Sequence, residues 1–112
     1  MAMTILAKDI MLDHLVGRDL YLSAHEEDPL TDGRGEIGGS REMVSFGSAS
    51  NGEVMGTTLK EIPIEATKTV THLGIWDMET GGNFLVGLQL LAPETFENQG
   101  GLKANSVKVV LN

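Results

Sequence analysis

The histidines and serines are the side chains best suited to catalysis, because the sequence contains no cysteine. His14, His25 and His72 are far apart in the chain, and none belongs to an H-E-x-x-H zinc motif. Ser48 and Ser50 stand in a small-residue turn without the G-x-S-x-G elbow of a hydrolase. These spacings do not assemble a nucleophile, a base and an orienting carboxylate. We therefore expect no enzymatic activity, and we expect His72 to be packed and hydrogen-bonded within a strand.

An acidic, glycine-rich stretch offers oxygen ligands and a motif that resembles a nucleotide-binding loop. Asp28, Asp32 and Glu36 recur every four residues, and carboxylates are ligands that Ca²⁺ prefers. The ligand order of an EF-hand is missing, so a solvated acidic loop is the expected structure. Residues 33–38 match G-x-G-x-x-G, but the dinucleotide motif needs a strand before it and a helix after it. The sequence therefore predicts no metal site and no cofactor.

Trp76 is the only tryptophan, and aromatic residues make up 4% of the chain. A carbohydrate-binding cleft stacks sugars on several aromatic side chains, which this composition supplies poorly. A single tryptophan buries a large area and more often anchors a core. We expect Trp76 to lie in the core, and we keep a small carbohydrate-binding or Ca²⁺-dependent module as a third functional alternative.

The composition limits the partners and compartments open to the chain. Of 112 residues, 8 are Lys or Arg and 16 are Asp or Glu, which gives a formal net charge of −8. That sign argues against nucleic acid, whose phosphates require clustered positive charge. No apolar run approaches the roughly 20 residues that span a bilayer, and the N-terminus lacks the features of a signal peptide. We expect one domain over residues 1–112, made in the cytoplasm.

The pattern predicts one good helix, over residues 4–16. Thr4 is a suitable N-cap, Gly17 follows the end, and good helix formers without proline lie between them. The apolar residues form two sides, with Asp9 and Asp13 between them. Such a helix either lies between two surfaces, its own sheet and a neighbouring subunit, or has one side that is simply half exposed to solvent. One side contains Met3, Leu6, Ala7 and Ile10, and the other contains Ile5, Leu12 and Val16.

After Gly17 the hydrophobic period becomes that of strands, and turn signals recur about every 8–12 residues. We expect a mainly β protein: an antiparallel β-sandwich or barrel of about six to seven strands over residues 18–112, with one N-terminal α-helix within residues 1–17. Residues 26–41 are predicted to form an exposed loop. Predicted strands cover residues 20–25, 43–46, 54–64 in one or two pieces, 68–77, a central strand at 84–91 and, after a polar loop at 93–101, residues 102–111.

Several segments resemble one family of phage proteins. Residues 69–77 (TVTHLGIWD) and 80–85 (TGGNFL) are very similar to the family pattern tvTHvGlwDaatGGnfL. Residues 21–29 (YLSAHEEDP) and 33–39 resemble its acidic turn, and residues 91–96 (LAPETF) resemble its LtaPktf segment. The matching positions around the acidic turn are Asp28, Pro29, Gly35, Glu36, Gly38, Gly39 and Arg41. The family consists of small virion proteins of tailed bacteriophages, labelled tail fibre, minor tail or head-decoration proteins.

The resemblance implies a non-enzymatic structural protein located in the virion. We expect foremost a capsid decoration (minor capsid) protein that binds the outer surface of the head and stabilises it. The alternative is a tail or baseplate protein, a minor tail or fibre component that contacts the host. The expected partners are the major capsid protein or other virion proteins and further copies of the chain, without nucleic acid or membrane. The candidate contact residues on the helix and the acidic loop are Leu6, Ile10, Leu12, Val16, Asp28, Pro29, Arg34 and Arg41.

Overall fold

The computed structural model describes residues 2–58, 60–104 and 106–111, which form one helix and eight strands. This confirms a mainly β, antiparallel fold with an N-terminal helix, with one strand more than expected. The elements are α1 (Ile5–Val16), β1 (Leu20–His25), β2 (Glu36–Phe46), β3 (Glu53–Thr58), β4 (Ile62–Ile64), β5 (Lys68–Trp76), β6 (Phe84–Phe96), β7 (Gly100–Leu102) and β8 (Val107–Val110). The predicted domain over 1–112 includes four positions outside the described ranges, Met1, Leu59, Asn105 and Asn112.

Six strands form one antiparallel sheet in the order β6-β5-β1-β2-β3-β8, and β4 pairs with β7. The large sheet nearly closes into a barrel, so that its two edge strands, β6 and β8, border the same cavity. Alternate residues of the strands point into the core, where Leu22, Val54 and Val107 are at most 1% exposed. The short strand β4 adds Ile62 and Ile64 to the same hydrophobic cluster.

The helix begins and ends at the residues that the sequence indicates. Thr4 accepts a hydrogen bond from the Ala7 N–H at 3.1 Å, and the Gly17 N–H donates to the carbonyl of Asp13. Of the helix residues, Leu12 alone is fully buried. None of the described helical structure is long and apolar enough to cross a membrane.

The predicted loop over residues 26–41 is too long, because β2 begins at Glu36. Glu36 pairs with His25 and Ile37 with Ala24 of β1, and residues 38–41 form a bulge before the pairing resumes at Glu42. Gly38 adopts a φ of 104° and lies against the Pro63 carbonyl, where a side chain would not fit. The sequence shows no alternation of apolar and polar residues here, because the backbone of Gly38, and not an apolar side chain, packs against the Pro63 carbonyl.

The strand predicted at 84–91 is an edge strand and not a central one. It continues to Phe96, through much of the polar loop expected at 93–101. Its first seven side chains alternate between half-buried and exposed, because one face packs on the core and the other is open to solvent. The strand predicted over 102–111 is also divided, since β7 ends at Leu102 and β8 begins at Val107. Apolar content alone therefore misassigned both the position and the length of these strands.

Candidate functional site

Two acidic side chains fasten the helix to the turn between β2 and β3. Asp9 accepts a hydrogen bond from the Gly52 N–H at 2.8 Å. Asp13 accepts one from the Ala49 N–H at 2.7 Å. A carboxylate that accepts from a backbone N–H makes a charge-assisted bond, which is stronger than a neutral one. The acidic residues that separate the two apolar sides of α1 therefore fix its orientation on the sheet.

One apolar side of α1 packs on the protein, and the other is open to solvent. Leu12 belongs to the core and Val16 packs against it. Leu6 and Ile10 lie on the opposite side, with 70% and 61% of their surfaces exposed. Ile5, in the first turn of the helix, is also exposed, although it shares a side with Leu12. One apolar side of the helix thus contacts the protein's own sheet, and the side that contains Leu6 and Ile10 is exposed to solvent.

The acidic loop, which we define as residues 26–35, is folded by its own side chains. Asp28 accepts a hydrogen bond from the Leu30 N–H at 3.0 Å. Asp32 accepts bonds from the backbone and the guanidinium of Arg34, and the guanidinium lowers the pKa of Asp32. The carboxylates of Asp28 and Asp32 therefore bind groups within the loop. Among the described residues, no group of three His, Cys, Asp or Glu side chains could hold a metal ion.

A buried chain of hydrogen bonds lies next to this loop. Trp76 Nε1–H donates to Ser23 Oγ at 2.8 Å, and that oxygen lies 2.6 Å from His25 Nε2. The other ring nitrogen, His25 Nδ1, lies 2.8 Å from the Arg34 carbonyl oxygen. Because a carbonyl oxygen only accepts hydrogen bonds, Nδ1 carries the proton, and Nε2 accepts a hydrogen bond from the Ser23 hydroxyl. Each polar side-chain atom of Trp76, Ser23 and His25 therefore has a hydrogen-bond partner while the imidazole is neutral. Burial lowers the pKa of His25.

Arg41 connects β2 to the turn that follows β5. Its Nε and Nη2 donate to both carboxylate oxygens of Glu36 at 2.8 and 2.9 Å. Its Nη1 donates to the carbonyls of Met78 and Gly81 at 3.0 and 2.8 Å. The guanidinium carbon also lies 3.7 Å from the centroid of a Trp76 ring. Arg41 therefore covers one face of the tryptophan ring.

The turn itself, residues 77–83, is closed by Asp77 and Asn83. Asp77 accepts from the Asn83 N–H at 2.7 Å and from its side-chain amide at 2.9 Å, and these bonds lower the pKa of Asp77. Gly33 lies against the Trp76 ring so closely that a side chain would not fit there. The acidic loop and the turn at residues 77–83, which both carry the family resemblance, thus meet at Trp76. Their hydrogen bonds and close packing hold these loops in position.

The eight predicted contact residues fall into three groups by exposure. Those with exposed side chains are Leu6, Ile10, Asp28 and Arg34. Val16 is half-buried, whereas Leu12, Pro29 and Arg41 are buried within the fold. Leu12, Pro29 and Arg41 pack within the fold, and their part in a contact with a partner stays a prediction.

Sequence reasoning did not foresee the link between Ser23, His25 and Trp76. The available signal was the spacing of Ser23 and His25, because residues two apart in a strand point to the same face. The pairing of Tyr21 with Trp76 across β1 and β5 supplies the third group, and that register is a long-range property. His72, by contrast, is half-buried and its Nδ1 lies 2.8 Å from Thr71 Oγ1, which confirms the expected packed histidine.

A model of one protein family, described as podophage GP4 fiber I protein gp80, matches residues 3–112. The match includes the helix, the acidic loop and the buried chain of hydrogen bonds. No curated protein matches this chain.

Proposed function

The chain belongs to the podophage GP4 fiber I protein gp80 family, and on that premise we propose that it is a non-enzymatic structural subunit that attaches to a neighbouring virion protein through its helix. Membership of a phage fibre family makes it a component of the phage particle. The subunit would be made in the host cytoplasm and incorporated during assembly. The role requires no cofactor and no catalytic centre.

The exposed side of α1 is the observation that carries the proposal. Leu6 and Ile10 are four residues apart, the spacing at which helix side chains lie above one another and enter one groove of a partner. Burying each would contribute roughly 1.5–3 kcal/mol. Because Asp9 and Asp13 already fix the helix, little further ordering would oppose binding.

The acidic loop would supply a second, polar contact at the rim. Asp28 and Arg34 are exposed and held in fixed positions by bonds within the loop. Exposed charges of this kind affect the rate and the specificity of association more than the affinity. If the chain stands at the tip of a fibre, this same loop is the surface that we expect to meet the host.

Decoration of the head remains a second candidate for the location. The net charge of −8 supports it, because a negative surface is compatible with the outside of a shell that contains DNA. The family description supports the fibre instead, and we place the fibre first. Copy number separates the two: hundreds of copies per particle indicate the head, and a few dozen or fewer indicate the fibre or tail. Complete absence from purified particles would contradict both locations.

The attachment surface can be tested with Leu6→Asp combined with Ile10→Asp. Both side chains are exposed, so the variant should fold as the unmodified protein does. We expect its incorporation into particles to fall at least about tenfold, because two apolar anchors are lost. The measurement is the amount of the protein in purified particles relative to the major capsid protein.

A matched control combines Met43→Asp with Met55→Asp, which also places two charges at exposed apolar positions. This control lies on strands β2 and β3 and not on the helix, and should be incorporated normally. Normal incorporation of a folded helix variant would refute attachment through α1. Equal loss in both variants would show that added charge, and not the helix surface, is responsible.

A further inference from the structure

The acidic loop covers aromatic side chains on the face of β1 and β5 that lies opposite the core cluster. Its Gly33 lies against the Trp76 ring, and its Pro29 is fully buried. The ring centroids of Trp76 and Phe84 are 5.2 Å apart, and only 9% of Trp76 is exposed. The tryptophan is therefore kept from solvent partly by a segment that has no helix or strand of its own.

His25, the last residue of β1, connects this loop to the sheet. Its Nδ1–H donates to the Arg34 carbonyl at 2.8 Å, and the imidazole is fully buried. The Glu26 N–H closes the base of the loop on the Gly35 carbonyl at 3.0 Å. Strand β1 is paired with β2 on one side and with β5 on the other. Because the strand is fixed on both sides, the loop is the part that can open separately.

The hydrogen bonds of His25 have one direction, and a second proton on the ring would reverse it at Ser23. Trp76 Nε1–H donates to Ser23 Oγ, and the Ser23 hydroxyl donates to His25 Nε2. A protonated imidazole has a hydrogen on both nitrogens, so the hydroxyl would lose its acceptor. Ser23 is 1% exposed, and a buried donor without an acceptor is costly. The closed loop therefore requires a neutral imidazole.

The charged groups that face His25 from β2 and β5 do not offset a second proton. Glu36 lies opposite His25 on β2, and Arg41 binds both of its carboxylate oxygens. His72 lies opposite His25 on β5. Burial lowers the pKa of His25, and His72 and Arg41 lower it further. The bond to the Arg34 carbonyl and the charge of Glu36 oppose this shift without reversing it.

The loop and β6 provide the other neighbours of the imidazole. In the loop, Asp32 is paired with Arg34 at 2.8 Å, and Glu26 lies 3.5 Å from Lys68 of β5. From β6 the uncharged ring of Phe84 packs edge-on, with its centroid 6.2 Å from that of the imidazole. The remaining carboxylates of the loop belong to Glu27 and Asp28. These acidic groups would stabilise an imidazolium better in solvent-accessible surroundings than the buried site does.

We propose that the acidic loop is an acid-sensitive cover: when His25 takes up a proton, the loop detaches from the sheet and opens Trp76 to water, while the strands stay paired. The open form binds one proton more than the closed form at a pH below 6.5. The ratio of open to closed chains should therefore increase by up to about tenfold for each pH unit below 6.5. This inference does not depend on attachment through the helix.

The single tryptophan makes the opening measurable in the full chain. The emission wavelength of Trp76 and its quenching by acrylamide are recorded between about pH 8 and 5, the range in which histidines change charge. Far-ultraviolet circular dichroism follows the sheet in the same samples. Below pH 6.5 we expect emission at longer wavelength and stronger quenching, with an unchanged β signal.

Two variants identify the group that responds. His25→Gln lacks the titrating ring and should lose the pH dependence of the quenching. His72→Gln is the matched control, because it replaces the histidine that lies opposite on β5, and it should keep the transition. Nuclear magnetic resonance of the unmodified chain needs no variant, and the protonation midpoint of the His25 ring should coincide with the midpoint of the fluorescence change.

Five results would overturn the inference. His25 that stays neutral over the whole range provides no trigger, and a protonated His25 with a shielded Trp76 shows a loop that tolerates the charge. A transition that persists in His25→Gln belongs to another group. A transition that is also lost in His72→Gln belongs to the two facing histidines together. Loss of the β signal at the same midpoint shows unfolding of the sheet and not opening of the loop.

Discussion

At the residue scale, contacts made by single side chains hold loops that have no regular secondary structure. Arg41 contacts a carboxylate, two backbone carbonyls and an aromatic ring at once. Arg34 forms an ion pair with Asp32, and both side chains are more than half exposed. The two arginines therefore provide a comparison between a buried and a solvated ion pair in one protein.

We predict that Arg41→Ala lowers the free energy of unfolding by about 3 kcal/mol, because it leaves Glu36 and two carbonyls without their donor. Arg34→Ala should cost less than about 1 kcal/mol, since water screens an exposed pair. Chemical denaturation of both variants measures the difference. Similar losses for the two arginines would contradict the structural role of Arg41.

His25 makes stability depend on pH. Its pKa is lowered from 6.5 by burial, so the unfolded chain takes up a proton at a pH where the folded chain does not. The contribution of the neutral histidine is therefore complete above 6.5, and it decreases as the pH falls from 6.5 towards the lowered pKa. Protonation would also place a hydrogen on Nε2, which could then no longer accept the hydrogen bond from the Ser23 hydroxyl.

We predict that the free energy of unfolding of the unmodified chain decreases with acidification below pH 6.5 more steeply than that of His25→Gln. The lowered pKa values of Asp32 and Asp77 act at more acidic pH and are common to both proteins. Denaturant titrations at a series of pH values give the two slopes. Parallel slopes would show that His25 does not titrate on unfolding.

At the element scale, the helix depends on tertiary contacts more than on its own sequence. A 12-residue helix is marginal in water by itself. Its C-terminal half is packed, and its middle is tied to the β2–β3 turn by Asp9 and Asp13. That turn has Asn51 and Gly52 at positive φ, as the Asn-Gly pair predicts for a two-residue hairpin.

We predict that Asp9→Ala destabilises the protein by about 1 kcal/mol, because the Gly52 N–H loses its acceptor. Asp9→Asn keeps a side-chain oxygen at the same place and should retain most of that stability. Hydrogen exchange of the helix amides reports the effect locally, with faster exchange expected in the alanine variant. Unchanged exchange would mean that packing alone holds α1.

On the scale of the whole molecule, attachment and folding would depend on different groups. The exposed side of α1 would bind another virion protein, whereas Arg41 and the bond between Trp76 and Ser23 hold parts of the fold together. These groups have no side chain in common, and the effects of changes at such separate sites are usually additive.

The sequence by itself determined the elements that depend on local chemistry. Thr4 and Gly17 delimit the helix through caps, and Asn51-Gly52 specifies a hairpin through backbone conformation. The antiparallel β class follows from the alternation of side chains and the spacing of turns. The family resemblance was also contained in the sequence, since motifs such as TVTHLGIWD are short and contiguous.

Only the tertiary structure decided which apolar surfaces are buried. A strand that is apolar on both faces can be central or at an edge, and the register of its neighbours made β6 an edge. Arg41 is similarly ambiguous, because an arginine is buried only when distant carbonyls and a carboxylate converge on it. The physical reason is the same in both cases: burial depends on pairing between residues far apart in the chain, which no local pattern encodes.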